Sequence, residues 1–221
     1  MQRKKVAIIH TSLVSIDYLK SLFNSVIPEV QIYNIVDDSL LKEVMENNDI
    51  TDGIVHRMRN YINSAENLGV DAIFSQCSSM GPAIDAIMKE CKIPILKVDL
   101  AMAEKAVSIG NKIAVVATVA STLKPSCQLI ETCAHEAGKQ VDISEQLVDG
   151  ALDILLNEGN KELHNKMVLE KIKSLEGRFD VIVLAQGSMV VLAPFLKELE
   201  TPTLTSPELG VRKMREVLGL D

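Results

Sequence analysis

An internal repeat is the feature of this 221-residue sequence that most limits how the chain can fold. When Asp71 is aligned with Asp180, DAIFSQCSSMGPAIDAIMKECKIPIL matches DVIVLAQGSMVVLAPFLKELETPTL, with a single gap before the proline. Each copy reads as a buried strand, a polar turn, a helix and a short strand after an X-Pro pair. A chain that contains this unit twice is expected to form two similar α/β lobes.

The rest of the chain continues this alternation of short Val- and Ile-rich runs with longer amphipathic stretches. Strands are predicted at residues 5–10, 31–35, 72–75, 95–98, 112–117, 140–144, 181–185 and 203–204. Helices are predicted at residues 17–27, 51–69, 81–91, 102–110, 125–138, 148–175, 192–200 and 207–218. The predicted fold class is therefore α/β, with two pseudo-symmetric lobes of parallel sheets flanked by helices and a cleft between them. Residues 1–98 with 206–221 are expected to form the first lobe, and residues 99–205 the second.

Composition agrees with this fold class and excludes several functions. Apolar residues make up 47% of the chain but aromatic residues only 3%, with no Trp, which suits strands buried under helices on both faces. The net charge is −7 and no basic stripe is present, so nucleic acid is not an expected partner. No apolar run approaches the length of a membrane span, and the first strand begins without a signal peptide, so no membrane contact and a cytoplasmic location are expected.

The four cysteines offer no metal or disulfide pattern. Cys77, Cys91, Cys127 and Cys133 form no CxxC pair and lie beside no histidine at metal-ligand spacing. Neither a zinc site nor a disulfide framework is supported, so they are expected to be reduced thiols. Three of them read as parts of helices or helix ends, and only Cys77 falls in a turn after a strand.

The turn around Cys77 is the first candidate site. It places the cysteine between a strand and a helix, and Ser78, Ser79, Gly81 and Pro82 supply hydroxyls, a flexible backbone and a helix-start proline. Such a turn offers free backbone N–H groups and the positive end of a helix dipole. We therefore expect it to favour a thiolate and a bound carboxylate.

Three more polar turns are predicted at strand ends. They contain His10, Thr11 and Ser12 after the first strand, Thr118, Ser121 and Thr122 after the fifth, and Gln186, Gly187 and Ser188 after the seventh. No arginine lies among them, which indicates a small acid held by neutral donors. Nucleotide motifs such as GxGxxG are absent.

These residues resemble a known family. The sequence DAIFSQCSS in one half, DVIVLAQGSM in the other, and IAVVAT followed by a Ser/Thr turn are similar to the Asp/Glu/hydantoin racemase superfamily over essentially the whole chain. The resemblance implies two pseudo-symmetric lobes, a small carboxylic acid or hydantoin as substrate, no cofactor and a homodimer. In racemases of this superfamily, one cysteine from each lobe acts on opposite faces of the substrate carbon.

Carried over by position, the resemblance assigns roles to individual residues. Cys77 matches the first catalytic cysteine, Ser78 and Ser79 the substrate-binding residues after it, and Thr118 and Thr122 the binding turn of the second lobe. Gln186 stands at the second catalytic cysteine if the repeat is aligned without a gap at the turn; a shift by one residue would instead place Gly187 there. The chain then has one of the two thiols that direct two-base racemisation requires.

Several alternatives stay open at this point. Gln186 contacts the substrate or satisfies backbone groups of its turn, and His10 is a replacement base or a structural histidine. His56, His135 and His164 fall in helical stretches and are expected to be solvated. The leading function is a cofactor-independent isomerase or racemase-like enzyme with Cys77 as base or nucleophile. Alternatives are a single-cysteine decarboxylase and a binding protein for a small acid that has lost catalysis.

Overall fold

The structure, a computed structural model, describes residues 3–220 apart from the side chains of Leu156 and Ser188. The chain divides into two compact units. One comprises the chain up to Leu100 and again from Pro207, and the other comprises Ala101–Ser206. Each unit contains one four-stranded parallel sheet with helices, as the sequence predicts.

The first unit has the strand order β2-β1-β3-β4. Its strands are β1 (Lys5–His10), β2 (Gln31–Val36), β3 (Ala72–Ser75) and β4 (Ile95–Lys97). Its helices are α1 (Ile16–Val26), α2 (Ser39–Asn47), α3 (Asp52–Asn67), α4 (Gly81–Ile87) and, from the end of the chain, α10 (Ser206–Val217). Short 3-10 helices cover Leu13–Ser15, Ser78–Met80 and Met88–Glu90.

The second unit repeats this arrangement with the order β6-β5-β7-β8. Its strands are β5 (Lys112–Ala117), β6 (Asp142–Leu147), β7 (Val181–Leu184) and β8 (Thr203–Thr205). Its helices are α5 (Leu100–Ile109), α6 (Ala120–Glu136), α7 (Ala151–Asn157), α8 (Lys161–Leu175) and α9 (Ala193–Leu196), with a 3-10 helix at Gly187–Leu192.

The central strands are apolar because both faces of each sheet are covered. In β1, Ala7 and Ile9 belong to one core cluster while Val6 and Ile8 belong to another on the opposite face. All four side chains are buried. Successive strand residues point to opposite faces, so a strand covered on both sides needs an unbroken apolar run.

The two halves of the repeat fold in the same way at their first residue. The Asp71 carboxylate accepts the Lys5 N–H at 2.8 Å, and the Asp180 carboxylate accepts the Lys112 N–H at 2.9 Å. Each aspartate therefore joins the start of the third strand of its sheet to the start of the neighbouring first strand.

Several predicted elements differ from the structure in their bounds. The helix predicted at 125–138 begins at Ala120, after the extended residue Val119, and contains Pro125 in its interior, where the proline removes one backbone hydrogen bond without ending the helix. The helix predicted at 148–175 is two helices, separated where Gly159 takes φ +64° and the Asn160 side chain caps α8. The strand predicted at 140–144 runs from Asp142 to Leu147, since all six of its residues pair with β5. Helix α2 was not predicted.

The three histidines predicted in helices differ in their burial. His164 is buried, with 1% of its surface exposed, so the expectation that it is solvated is wrong; His56 and His135 are exposed. His164 lies on the inner side of α8, beside core residues such as Val168.

No helix within the described residues is long and apolar enough to span a bilayer.

Candidate active site

Cys77 lies two residues beyond the end of β3, in extended backbone with φ −113° and ψ 119°. The 3-10 turn Ser78–Met80 follows, and Met80 donates its N–H to the Cys77 carbonyl at 3.0 Å. Cys77 packs against the core on one side, and the residue as a whole stays partly exposed. Its side chain is therefore held by a defined turn at the edge of the core.

The surroundings of the Cys77 sulfur act in two directions on its pKa. Burial is the larger effect and raises the pKa of the thiol, because a thiolate loses the water that would stabilise it. The Thr11 hydroxyl, the backbone N–H groups of Ser79 and Met80, and the Ser79 hydroxyl donate hydrogen bonds that lower it. The net direction is upward, so the sulfur is a protonated thiol near neutral pH. The donors of the turn favour the thiolate, as expected from the sequence, but they do not offset the effect of burial.

Gln186 lies in the same backbone conformation at the end of β7, with φ −129° and ψ 132°. Its side-chain Oε1 accepts the Thr118 N–H at 2.5 Å and the Thr118 hydroxyl at 2.9 Å. A backbone N–H requires an acceptor, which fixes the orientation of the carboxamide. The oxygen of Gln186 thus holds the end of β5, and its amide nitrogen is a hydrogen-bond donor.

Strand register makes Cys77 and Gln186 equivalent residues of the two units. Each stands two places beyond the last residue of its strand that pairs with the first strand of the same sheet; those pairs are Ser75 with Ile9 and Leu184 with Val116. The first 3-10 hydrogen bond is also shared, from Met80 to Cys77 and from Met189 to Gln186, both at 3.0 Å. The ungapped alignment of the repeat is supported, and Gly187 is one place too far.

The neighbouring threonines are equivalent as well. Thr11 and Thr118 follow the ends of β1 and β5, and both are buried. The Thr11 hydroxyl bonds the Cys77 sulfur, as the Thr118 hydroxyl bonds the Gln186 oxygen. The same contact therefore occurs in both units: a threonine directly after the first strand bonds the side chain two residues after the third strand.

The other predicted site residues take several positions. Ser78 and Ser79 are buried in the turn after Cys77, and Ser12 accepts the Val14 N–H at 3.3 Å as the cap of a short 3-10 helix. Ser121 and Thr122 lie in the first turn of α6 rather than in an open turn, because that helix begins at Ala120. Gly187 begins its 3-10 helix, and the side chain of Ser188 lies outside the described part of the structure.

His10 is buried at the end of β1, but on a different face from Cys77. Its Nε2 lies 2.9 Å from the Asn34 Oδ1, and Nδ1 has no hydrogen-bond partner within the described residues. Strand alternation places His10 on the face of Ile8 and Cys77 on the face of Ile9. Burial lowers the pKa of His10 more than the Asn34 hydrogen bond raises it. The histidine is therefore neutral near neutral pH and is not positioned beside the thiol.

Asp99 is a candidate that sequence reasoning missed. Its carboxyl group is buried, with 3% of the residue exposed, and it receives a hydrogen bond from the Ser78 side chain. Its Oδ1 has no partner among the residues that the structure describes. In the sequence, Asp99 reads as part of a segment linking the lobes, and only its X-Pro strand, adjacent to that of Cys77, signals this position.

Comparison with known proteins now decides the family. A family model described as Asp/Glu/Hydantoin racemase matches residues 8–214, nearly the whole chain. The chain belongs to the Asp/Glu/hydantoin racemase family. Comparison with curated protein sequences finds no match.

Solved structures of racemases share the fold. Allantoin racemase from Klebsiella pneumoniae superposes with a TM-score of 0.75 at 19% identity, covering 98% of this chain and 88% of that one. Glutamate racemase from Aquifex pyrophilus gives 0.67 at 20% identity, covering 96% and 83%. Aspartate racemase from Picrophilus torridus gives 0.69 at 17% identity, covering 98% and 94%. The racemase-family fold is therefore common to proteins whose names specify different substrates.

Proposed function

We propose that this chain is a cofactor-independent enzyme of racemase or isomerase type that acts next to a carboxylate or carbonyl group of a small acid, such as an amino acid or a hydantoin. Cys77 is its base or nucleophile. The observation that carries the proposal is Cys77, a partly exposed residue whose thiol is held at a strand end by hydroxyl and N–H donors in a chain of the racemase family.

The chemistry follows from proton transfer at one sulfur. To act as a base, the Cys77 thiol first gives its proton to solvent. The thiolate then takes the proton from the substrate carbon and becomes a thiol again, and the substrate becomes an enolate. The thiol then returns the proton, either to that carbon or to another position of the enolate. The neutral donors of the Cys77 turn stabilise the enolate charge.

Gln186 limits this chemistry to a single thiol. Inversion by two bases requires a second group that gives or takes a proton on the opposite face, and a carboxamide has no such proton. The Gln186 oxygen already accepts two hydrogen bonds from Thr118. Its amide nitrogen keeps two N–H donors, which can form hydrogen bonds but cannot transfer a proton.

Decarboxylation by a single cysteine is the second candidate, and the raised pKa of Cys77 favours it. In this reaction the carbon–carbon bond to a carboxylate breaks, carbon dioxide leaves, and the resulting enolate takes the proton of the thiol. Solvent then reprotonates the sulfur. A thiol that is protonated near neutral pH is ready for this step without prior loss of its proton.

The test is a panel of acids incubated with the enzyme in deuterium oxide and followed by NMR. The panel contains aspartate, glutamate, hydantoins, hydroxy acids and substituted malonates. We expect α-proton exchange or decarboxylation of at least one of them by the wild type, loss of this activity in Cys77→Ala, and full activity in the matched control Cys91→Ala. Cys91 lies in the same unit but follows a short helix away from the strand ends.

A non-catalytic binding protein would give a different result. None of the acids would react, yet one of them would raise the melting temperature of both the wild type and Cys77→Ala. That outcome would overturn the proposed enzyme.

A further inference from the structure

The buried carboxyl group of Asp99 lies just beyond the end of β4, next to the strand that leads to Cys77. The last ladder pair between β3 and β4 joins Ser75 to Lys97. Cys77 and Asp99 each stand two places beyond that pair, on neighbouring strands. The strand-end thiol is thus flanked by Thr11 on the β1 side and by Asp99 on the β4 side.

Only the unit that carries the thiol has this carboxyl group. In the second sheet the last pair between β7 and β8 joins Leu184 to Thr205, and two places further stand Gln186 and Pro207. Proline has neither a side-chain acceptor nor a backbone N–H. The repeat therefore has a buried acid where the strand-end residue is a cysteine and none where it is a glutamine.

Stability alone does not account for Asp99. A carboxyl group that is 3% exposed, with one oxygen lacking a partner among the described residues, costs folding free energy. Lys97, the nearest basic residue along the strand, forms its ion pair with Asp85 at 2.8 Å instead. Unsatisfied buried polar groups of this kind are concentrated at functional sites.

The hydrogen bond between Asp99 and Ser78 connects Asp99 to the turn that follows Cys77. The Ser78 hydroxyl donates to the Asp99 carboxyl group, and Ser78 begins the turn in which the next residue, Ser79, donates its backbone N–H to the Cys77 sulfur. Asp99 therefore ties the start of this turn to the end of β4.

We propose that Asp99 is a positioning residue, which holds the Ser78–Met80 turn through the Ser78 hydroxyl so that its N–H groups stabilise the Cys77 thiolate. The inference rests on the proposed role of Cys77, but its test does not depend on turnover. It makes Asp99 a part of the site that acts through Ser78 and does not itself touch the substrate.

The test is the rate at which iodoacetamide alkylates Cys77, measured by peptide mass spectrometry, with Cys91 of the same molecule as internal reference. Asp99→Ala and Ser78→Ala each remove the bond, and we expect Cys77 to react about tenfold more slowly in both, the effect of one hydrogen bond to a charged group. Asp99→Asn keeps an oxygen acceptor of the same shape and should react within about threefold of the wild type. Glu46→Gln, which changes an exposed acid of the same unit far along the chain from Asp99, is the control and should change nothing.

Two more measurements are the alkylation rate of the double variant and the melting temperature of Asp99→Ala. If the two residues act through one bond, Ser78→Ala with Asp99→Ala should be no slower than either single variant. Asp99→Ala is expected to melt no lower than the wild type; if it does not fold, Asp99→Asn and Ser78→Ala still give the comparison.

Three results would overturn the inference. Alkylation of Cys77 that is unchanged in Asp99→Ala and Ser78→Ala would show that the bond does not position the turn. Equal acceleration in Asp99→Asn and Asp99→Ala would show that Asp99 acts only as a negative charge. Effects that multiply in the double variant would show two independent roles. A wild type that turns over no acid would contradict the proposed enzyme and leave these comparisons valid.

Discussion

At the scale of single residues, one substitution separates the two halves of the repeat. A threonine at the end of the first strand holds a sulfur in one unit and a carboxamide oxygen in the other. The same backbone therefore presents a thiol at Cys77 and a carboxamide at Gln186. The fold is repeated in both units, whereas the side chain at this position is not.

The two ends of the Gln186 carboxamide are expected to have separable roles. Gln186→Glu keeps an oxygen that accepts from Thr118, whereas Gln186→Leu leaves the buried N–H and hydroxyl of Thr118 without it. We expect Gln186→Leu to lose about 1–3 kcal/mol of unfolding free energy, and Gln186→Glu to lose clearly less. Urea unfolding measures both. Equal losses would show that the oxygen does not support the fold.

Gln186→Cys tests the chemical half of this account. It restores a thiol at the position equivalent to Cys77, so it should create or raise interconversion of the enantiomers of whichever acid the wild type accepts. Chiral chromatography of the product measures this, with Gln186→Ser as the control of similar size and no thiol. Interconversion that stays at the wild-type rate in both variants would count against the equivalence of the two positions in catalysis.

At the scale of elements, α10 packs closely on the end of the first sheet because Gly210 has no side chain. A Cβ at this position would lie 2.6 Å from the Val98 carbonyl oxygen and 3.1 Å from the Phe74 ring. Val98 directly precedes Asp99, so the contact borders the candidate site. The backbone oxygen cannot move away without disturbing β4.

Gly210→Ala is therefore expected to destabilise the protein by about 1–3 kcal/mol, as overpacking of a close contact does. Gly53→Ala in α3 is the matched control: its nearest neighbours would be 3.5 Å and 3.6 Å from the new Cβ, and alanine is the better helix former. Urea unfolding should show a loss in the first variant and none in the second. Similar stability of the two variants would contradict this packing.

Central strands could be predicted from the sequence, whereas the bounds of edge strands and of some helices could not. Buried strands such as β1, β3, β5 and β7 are visible in the sequence because they are covered on both faces. The edge strand β6 is half polar, and its bounds are set by pairing with β5 rather than by its own pattern. Helix boundaries near Pro125 and Gly159 likewise depend on local backbone geometry.

The residues of the candidate site likewise differ in whether the sequence alone predicts them. Cys77, Thr11 and Thr118 were predicted because they follow recognisable strands, and the structure places each threonine against the equivalent side chain of its own unit. Asp99 was missed because a single acid after a short strand carries no pattern; its meaning comes from burial and from Ser78. The protonation state of Cys77 could not be predicted either, since it depends on a balance between burial and donors.

At the scale of the whole molecule, stability is expected to depend on pH through the aspartates that join the strands. The pKa of Asp71 is lowered by its hydrogen bond with Lys4, and that of Asp180 by the backbone N–H groups of Lys112 and Asn111. A lowered pKa means that the folded state holds the proton less tightly than the unfolded state. The stabilisation is then present above the unfolded pKa of about 3.9 and is lost as pH falls through the folded value.

Asp71→Asn should accordingly melt below the wild type at about pH 6, and the difference should shrink as the pH falls below the unfolded pKa of about 3.9 and then through the lower folded pKa of Asp71, where the wild-type carboxyl group becomes neutral. Circular dichroism melts at a series of pH values measure this. Glu46→Gln, which removes an exposed acid 3.9 Å from Lys42, is the control and should show little difference at any pH. A gap between Asp71→Asn and wild type that stays constant down to the lowest pH would mean that the charge of Asp71 does not contribute.

The central claim, that one thiol transfers a proton at a small acid, is tested most directly with the separate enantiomers of the most reactive acid in deuterium oxide. NMR follows exchange of the α proton, and chiral analysis of the same sample follows interconversion. The account predicts that one enantiomer exchanges with little conversion to the other, and that exchange disappears in Cys77→Ala. Exchange that persists at the wild-type rate in Cys77→Ala, or equal exchange and interconversion of both enantiomers, would contradict it.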